Sequence, residues 1–107
     1  QETYWRLASR PHTDDLPTTA ARVRELVVDS IKRQLVADVP VATLLSGGLD
    51  SSVITAVAAE HFKETGRGTL HSYSIDYVDN DKHFQASSFQ PNEDAPYVQL
   101  VSQYLGT

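Results

Sequence analysis

One stretch, from Val39 to Phe62, joins an apolar run to a helical pattern through seven residues, six of which are small or polar. Val39 to Leu45 is apolar and rich in β-branched residues, which predicts a buried strand. The segment SGGLDSS, Ser46 to Ser52, interrupts this run. Apolar residues then recur at steps of three and four, which predicts a helix over Ser51–Lys63. The sequence therefore predicts a strand, a glycine-rich turn and a helix in direct succession.

Such a turn predicts an anion site. The first N–H groups of a helix have no internal partner, and they point out of an end where the helix dipole favours negative charge. Gly47 and Gly48 would let phosphate oxygens approach the backbone. The hydroxyls of Ser46, Ser51 and Ser52 would add donors around the same concavity. An ordinary tight turn also accounts for two glycines, but the whole string between a strand and a helix is more specific.

Asp50 is the residue of this turn that would repel a phosphate. Its carboxylate fits if a divalent cation bridges it to the phosphates, because Mg²⁺ binds through one or two carboxylates plus substrate oxygens. Asp is also a good helix N-cap, and both roles are open from the sequence. We therefore predict Asp50 as a metal ligand, with helix capping as the alternative.

The turn SGGLDSS resembles the pyrophosphate-binding loop of the ATP pyrophosphatases, which cleave ATP to AMP and pyrophosphate while adenylating a substrate. The wider string DVPVATLLSGGLDSS, with HSYSIDY downstream, is similar to the synthetase domain of glutamine-hydrolysing asparagine synthetases. The chain lacks GxxxxGK[ST], which points away from γ-phosphate transfer and toward the α-phosphorus. The resemblance implies an α/β fold, a three-layer α/β/α arrangement with a parallel sheet of the adenine nucleotide alpha hydrolase type.

The resemblance also implies a ligase that uses ATP and Mg²⁺. Aspartate and ammonia derived from glutamine would give asparagine through β-aspartyl-AMP. The residues that would hold the pyrophosphate and its Mg²⁺ are Ser46, Gly47, Gly48, Asp50, Ser51 and Ser52. The backbone at Leu44 and Ile75 would contact the adenine, with plain core packing as the other interpretation of these two residues.

Periodic apolar residues predict two further helices. The first covers Ala20–Ala37 and would be capped by Thr18 or Thr19. The second covers Glu93–Tyr104 and would end at Gly106, because glycine readily adopts the left-handed conformation at a helix end.

A second strand is predicted over Thr69–Tyr77, where strand-forming residues alternate with polar ones. It would pair in parallel with the first strand through a right-handed crossover. The carboxyl ends of the two strands would then bring Ile75 next to Ser46. Residues 78–92 form a polar loop. The resemblance implies that this loop lies near the substrate.

The 107 residues divide into an arm or linker, 1–19, and the N-terminal part of a synthetase domain, 20–107. Two parallel strands make a poor free-standing sheet, so a third strand is expected to begin near Gly106–Thr107. The open strand edges could be covered by another copy, in a homo-oligomer, or by the N-terminal arm. The resemblance implies a missing glutaminase domain, a missing aspartate pocket and a missing catalytic Lys. We therefore expect a fragment that has no catalytic residue and is inactive alone.

Composition excludes several other classes. A net charge of −5 argues against a nucleic-acid surface. The chain has no apolar stretch of membrane-spanning length and no signal-peptide pattern, so a cytoplasmic location without membrane contact is expected. Zero Cys excludes a disulfide framework, and the four His have no metal-ligand spacing.

Two alternatives stay open from the sequence. One is another enzyme with the same loop, such as a β-lactam, GMP or NAD synthetase or a tRNA-thiolating enzyme. The Leu in SGGLDSS and the preceding DVPVATLL favour the asparagine branch. The other is a nucleotide-binding module without catalysis.

Overall fold

The computed structural model describes residues 2–76, 84–86 and 93–107. In these ranges the elements follow in the order α1 (Leu16–Gln34), β1 (Ala42–Leu44), α2 (Leu49–Glu64), β2 (His71–Tyr73) and α3 (Ala95–Leu105). The strands pair in parallel, with Thr43 opposite Ser72. Three helices and a two-stranded parallel sheet confirm the predicted small α/β fold. The three-layer arrangement stays a prediction.

Helix α1 begins four residues earlier than predicted. Its N-cap is Asp15, whose side chain accepts the Thr18 N–H at 2.8 Å, and Pro17 lies in the first turn. Thr18 and Thr19 were therefore wrong as caps, because proline fits the first helical turn, where its missing N–H needs no partner. Hydrogen bonding from Thr18 lowers the pKa of the Asp15 carboxyl. The division between arm and domain at residues 19 and 20 stays a prediction, although α1 crosses it.

Strand β1 is shorter and less buried than predicted. Thr43 and Leu45 are buried, but Leu44 is 72% exposed and Val39 is 66% exposed. Successive strand residues point to opposite faces, and α2 packs against this strand. The sheet is therefore buried on one face only in the part of the chain described, and the expectation of a fully buried strand was wrong. The predicted second strand is likewise reduced to His71–Tyr73.

Helix α2 is the centre of the domain, since it contacts α1, β1 and α3. The core consists of Leu35, Ala58, Ala59, Phe62 and Leu70, with Val41 and Leu105 packed against it. Thr55 is fully buried and its hydroxyl donates to the Thr43 hydroxyl at 3.1 Å. This bond fixes α2 on β1 directly behind the turn that joins them.

Bonds at the C-terminal ends of the helices close the domain. Arg67 donates to the Leu35 carbonyl at 2.8 Å and lies 4.6 Å from the centroid of the Phe62 ring, which ties the end of α1 to the end of α2. Lys63 donates to the Leu105 carbonyl at 3.1 Å, which ties α2 to α3. The ends of the helices are thus held together on the side away from the glycine-rich turn.

Helix α3 ends as predicted, at Gly106 in the left-handed conformation with φ 72°. In residues 2–76, 84–86 and 93–107, each strand has a single strand neighbour, so pairing of the outer edges with another copy stays a prediction. None of the helices in these ranges is long and apolar enough to cross a membrane. Most of the predicted loop 78–92 lies outside the described residues.

Candidate functional site

The carboxyl ends of the two strands lie side by side, as predicted. The Leu45 N–H donates to the Tyr73 carbonyl at 2.8 Å, which extends the parallel pairing one residue beyond β1. Ser46 follows at the exposed end of β1, and Ser74 to Asp76 follow at the exposed end of β2. In open parallel sheets this is the edge at which ligands bind.

The N-terminus of α2 opens onto the same edge. Its N-cap is Gly48, which has no side chain, and no side chain among the described residues forms a cap hydrogen bond there. The Ser52 N–H is the first to reach a helical acceptor, the Gly48 carbonyl at 3.1 Å. The amides before it are those that a helix leaves without an intrahelical partner. This end of α2 therefore presents N–H donors and the positive end of the helix dipole.

The three serine hydroxyls of the turn form an internal network. Ser51 Oγ donates to the Gly48 carbonyl at 3.1 Å. The Ser46 hydroxyl lies 2.9 Å from Ser51 Oγ, where either oxygen can be the donor, and the Ser46 N–H donates to Ser51 Oγ at 3.2 Å. Ser52 Oγ donates to the Gly48 carbonyl at 2.7 Å. All three hydroxyls are thus hydrogen-bonded within the turn.

One of these hydroxyls can turn outward at little cost. The Gly48 carbonyl accepts from the Ser51 hydroxyl, the Ser52 hydroxyl and the Ser52 N–H. A carbonyl oxygen has two lone pairs, so three donors share two positions. The hydroxyl donors predicted for a phosphate are present, but each would have to rotate away from its partner within the turn.

The two glycines of the turn differ in their surroundings. Gly47 has φ +83°, and a Cβ built on it would lie 2.7 Å from the carbonyl oxygen of Asp94, the N-cap of α3. Gly48 has φ −75° and ψ 164°, a conformation open to any residue, and a Cβ there would meet only Ser46 Oγ at 3.6 Å. Backbone conformation and close packing require glycine at position 47, whereas neither requires it at position 48.

A cavity of about 430 Å³ lies at the strand ends. This volume falls in the range of small-molecule sites. Its lining includes three of the predicted site residues, Leu44, Ser46 and Ile75. The other predicted site residues lie in the adjoining turn and the first turn of α2; they are Gly47, Gly48, Asp50, Ser51 and Ser52.

The side chains of Leu44 and Ile75 are exposed rather than packed in a core. Leu44 is 72% exposed and Ile75 is 83% exposed, although both line the cavity. Core packing, the other interpretation of these residues, is therefore wrong. Two apolar side chains at a cavity wall can flank a flat ring, and the backbone groups beside them can bond its edge.

Asp50 is exposed in the first turn of α2, two residues after the Gly48 N-cap. It does not cap the helix, so the capping alternative was wrong. The described residues hold no group of three or more His, Cys, Asp or Glu side chains that could bind a metal ion. Asp50 could thus serve as a single carboxylate ligand beside substrate oxygens, which is the mode that Mg²⁺ favours with phosphates.

Several residues of the cavity were missed by the sequence analysis. They are Tyr73, Asp76, Phe84, Asp94, Val98 and Gln99. Asp76 directly follows Ile75, so the parallel strand pair could have predicted its place in the cavity beyond the carboxyl end of β2. Asp94 is the N-cap of α3 and Val98 lies in its first turn. The periodicity of a helix does not reveal which part of the sheet it borders.

Comparison with known proteins supports one family. Residues 22–107 match the family described as asparagine synthase. The chain is 57% identical over 104 residues to asparagine synthetase (glutamine-hydrolyzing) 3 of Bacillus subtilis strain 168, which is 97% of this chain. It is 39% identical over 102 aligned residues to asparagine synthetase B (glutamine-hydrolyzing) of Escherichia coli strain K12, in an alignment that covers 87% of this chain.

The similarity covers a small part of each relative. The aligned chain spans 17% of the Bacillus protein and 16% of the Escherichia protein. A putative asparagine synthetase (glutamine-hydrolyzing) 2 of Methanocaldococcus jannaschii is 31% identical over 104 residues, or 18% of its own length.

Proposed function

Because this chain belongs to the asparagine synthase family, we propose that it forms the pyrophosphate-binding part of a ligase that makes asparagine from aspartate. The proposed reaction uses ATP, releases AMP and pyrophosphate, and takes its nitrogen from glutamine through ammonia. The relatives whose names carry this activity are about six times longer than the aligned segment. The activity of the whole protein is therefore part of the proposal.

The observation that carries the proposal is the uncapped N-terminus of α2 beside the cavity at the strand ends. Amides at such a terminus bind phosphate groups because the N–H donors and the helix dipole act together. An ATP molecule in this proposal places its β- and γ-phosphates at the turn Ser46 to Ser52. Its adenosine occupies the cavity between Leu44 and Ile75.

Asp50 is the residue of this chain proposed to hold Mg²⁺. Its exposure in the first turn of α2 and its single carboxylate agree with a cation shared with phosphate oxygens. When bound, Mg²⁺ would neutralise negative charge on the pyrophosphate group. Without a cation, the Asp50 carboxylate would repel the phosphates that the helix amides attract.

In the proposed reaction, an oxygen of the aspartate β-carboxylate attacks the α-phosphorus of ATP. The bond from the α-phosphorus to the bridging oxygen breaks, and the electron pair leaves with pyrophosphate. Ammonia then attacks the β-carbonyl carbon of β-aspartyl-AMP, the bond to AMP breaks, the nitrogen loses one proton, and the amide of asparagine forms.

The turn contributes to the first of these two steps. Negative charge grows on the pyrophosphate oxygens as the bond breaks, and fixed N–H donors aimed at such charge lower the barrier. The Ser51 or Ser52 hydroxyl can add a further donor by turning away from the shared Gly48 carbonyl.

The test is aspartate-dependent release of pyrophosphate by the full-length protein that carries this chain. Asp50→Asn is expected to slow adenylation about a hundredfold or more, since it removes the charge that holds the cation. Glu60→Gln is the matched control, because it removes a carboxylate from the exposed surface of the same helix about 15 Å away. A normal rate for Asp50→Asn, or pyrophosphate release without aspartate, would contradict the proposal.

A further inference from the structure

The contact between Gly47 and the start of α3 gives this glycine a second role. We propose that Gly47 is a positioning residue that seats α3 against the turn and thereby sets the width of the cavity for the nucleoside. The inference rests on the proposed function, because it assigns the cavity to the adenosine part of ATP. It gives Gly47 a role toward the nucleoside that Gly48 does not share.

The seating contact is made by backbone on both sides. The Asp94 carbonyl oxygen lies 2.7 Å from the position that a Cβ of residue 47 would occupy. This carbonyl also accepts the N–H groups of Tyr97 and Val98, each at 3.0 Å. It is therefore the first acceptor of α3 and cannot move aside without moving the first turn of the helix.

That first turn is a wall of the cavity. Asp94, Ala95 and Val98 line it together with Leu44 and Ile75 from the strand ends. Ordinary van der Waals contact begins at 3.4 Å, so a Cβ on residue 47 requires about 0.7 Å of separation. A shift of that size is large for a cavity whose walls must contact both faces of a flat ring.

The start of α3 is expected to move rather than the turn. The turn is held on one side by the bond from Leu45 to Tyr73 at 2.8 Å and internally by the bonds of Ser46 to Ser51. The C-terminal end of α3 is fixed through Leu105 to Lys63 and through Thr107 to Ser72. Asp94 and Tyr97 at its start also have interactions, which would have to yield to a displacement of the first turn. A larger residue at position 47 would thus pivot α3 outward and widen the cavity.

Gly48 provides the contrast. Its backbone is compatible with any residue, and a Cβ there has room within the protein. A methyl group at position 48 would instead stand at the N-cap of α2, where the phosphates are proposed to approach. Gly48→Ala should therefore weaken pyrophosphate binding and leave the nucleoside cavity unchanged.

The experiment measures binding of AMP and, separately, of inorganic pyrophosphate with Mg²⁺ to the full-length protein by calorimetry. Gly47→Ala should weaken AMP binding about tenfold or more, and it should weaken AMP binding more than it weakens pyrophosphate binding. Gly48→Ala should show the reverse pattern. Gly68→Ala controls for backbone strain, because Gly68 has φ +84° and no atom within 4 Å of its Cβ position, and it should change neither affinity.

Val98→Ala tests the same wall without touching the turn, so the proposal remains testable if Gly47→Ala fails to fold. It should weaken AMP binding and leave pyrophosphate binding unchanged. The positioning role is overturned if Gly47→Ala weakens pyrophosphate binding as much as AMP binding, or if Val98→Ala leaves AMP binding at the wild-type value. Failure of the proposed function is a different result, in which the wild-type protein binds neither AMP nor pyrophosphate.

Discussion

The buried pair Thr43 and Thr55 offers a test of how α2 is fixed behind the turn. Thr55 has no exposed surface and its hydroxyl donates to the Thr43 hydroxyl, which is 8% exposed, at 3.1 Å. We consider Thr43→Val, Thr55→Val and the double variant. Each replaces a hydroxyl by a methyl group of similar size, so packing changes little and the hydrogen bond accounts for the difference.

The structure predicts an order for the three variants. Thr43→Val leaves a buried donor without its acceptor, which lowers the free energy of unfolding by about 1–3 kcal/mol. If the Thr55 hydroxyl rotates onto the carbonyl one turn earlier in α2, the loss lies at the lower end of that range. Thr55→Val leaves the slightly exposed Thr43 oxygen, which water can reach, and should lose less. The double variant should lose less than Thr43→Val alone, because neither unpaired group remains.

Equilibrium unfolding in urea measures these differences, provided that the slope against urea concentration is unchanged. The informative quantity is the coupling between the two substitutions, which should be about 1 kcal/mol or more in favour of the double variant. Losses that simply add would refute the reasoning, because they would mean that the two hydroxyls do not depend on each other.

Two other predictions concern the ends of the helices. The Asp15 cap should weaken as the pH falls, because hydrogen bonding from Thr18 lowers the pKa of this carboxyl below its ordinary value of 3.8. The resulting stability is fully present above pH 3.8 and is lost as the pH falls through the lowered pKa of the folded state. Helix content at the start of α1, followed by NMR at the Thr18 amide, should drop below that pH in the wild type, while Asp15→Asn, which caps without titrating, should show a smaller drop. Arg67→Ala should lower the free energy of unfolding by about 1–2 kcal/mol, because it removes the bond to the Leu35 carbonyl and the contact with the Phe62 ring. Arg67→Lys keeps a charge over the ring, so it should lower the free energy of unfolding by less than Arg67→Ala does. Urea unfolding compares the two variants, and equal losses would contradict the cation–π contribution.

The elements that depend on local sequence were predictable. The turn from Ser46 to Ser52 lies between β1 and α2 because a β-branched run, two glycines and a helical apolar pattern agree with one another. Gly106 ends α3 for a local reason as well, since it supplies the left-handed residue that a helix end requires.

The start of α1 was missed because two local signals compete there. Pro17 was interpreted as part of a linker, yet proline is also favoured in the first turn of a helix. Asp15 precedes it by two residues and supplies the cap, so the pair marks a helix start. Pro17 was assigned to a linker, whereas it lies in the first turn of α1.

The lining of the cavity could be predicted only in part. Leu44 and Ile75 follow from the parallel strand pair, which places their ends at one edge. The contact of Gly47 with Asp94 joins residues far apart in sequence, and no periodic pattern records it. The burial of the strands was overestimated because an apolar run does not reveal how many layers cover it.

The central claim is that the amides at the start of α2 bind pyrophosphate. Backbone amide NMR of the full-length protein, titrated with inorganic pyrophosphate and Mg²⁺, tests it directly. We expect the largest shifts at residues 47–52, with saturation, and we expect Gly48→Ala to raise the pyrophosphate concentration at which they saturate. Saturating shifts confined to other parts of the chain, or no saturable change at residues 47–52, would contradict the account.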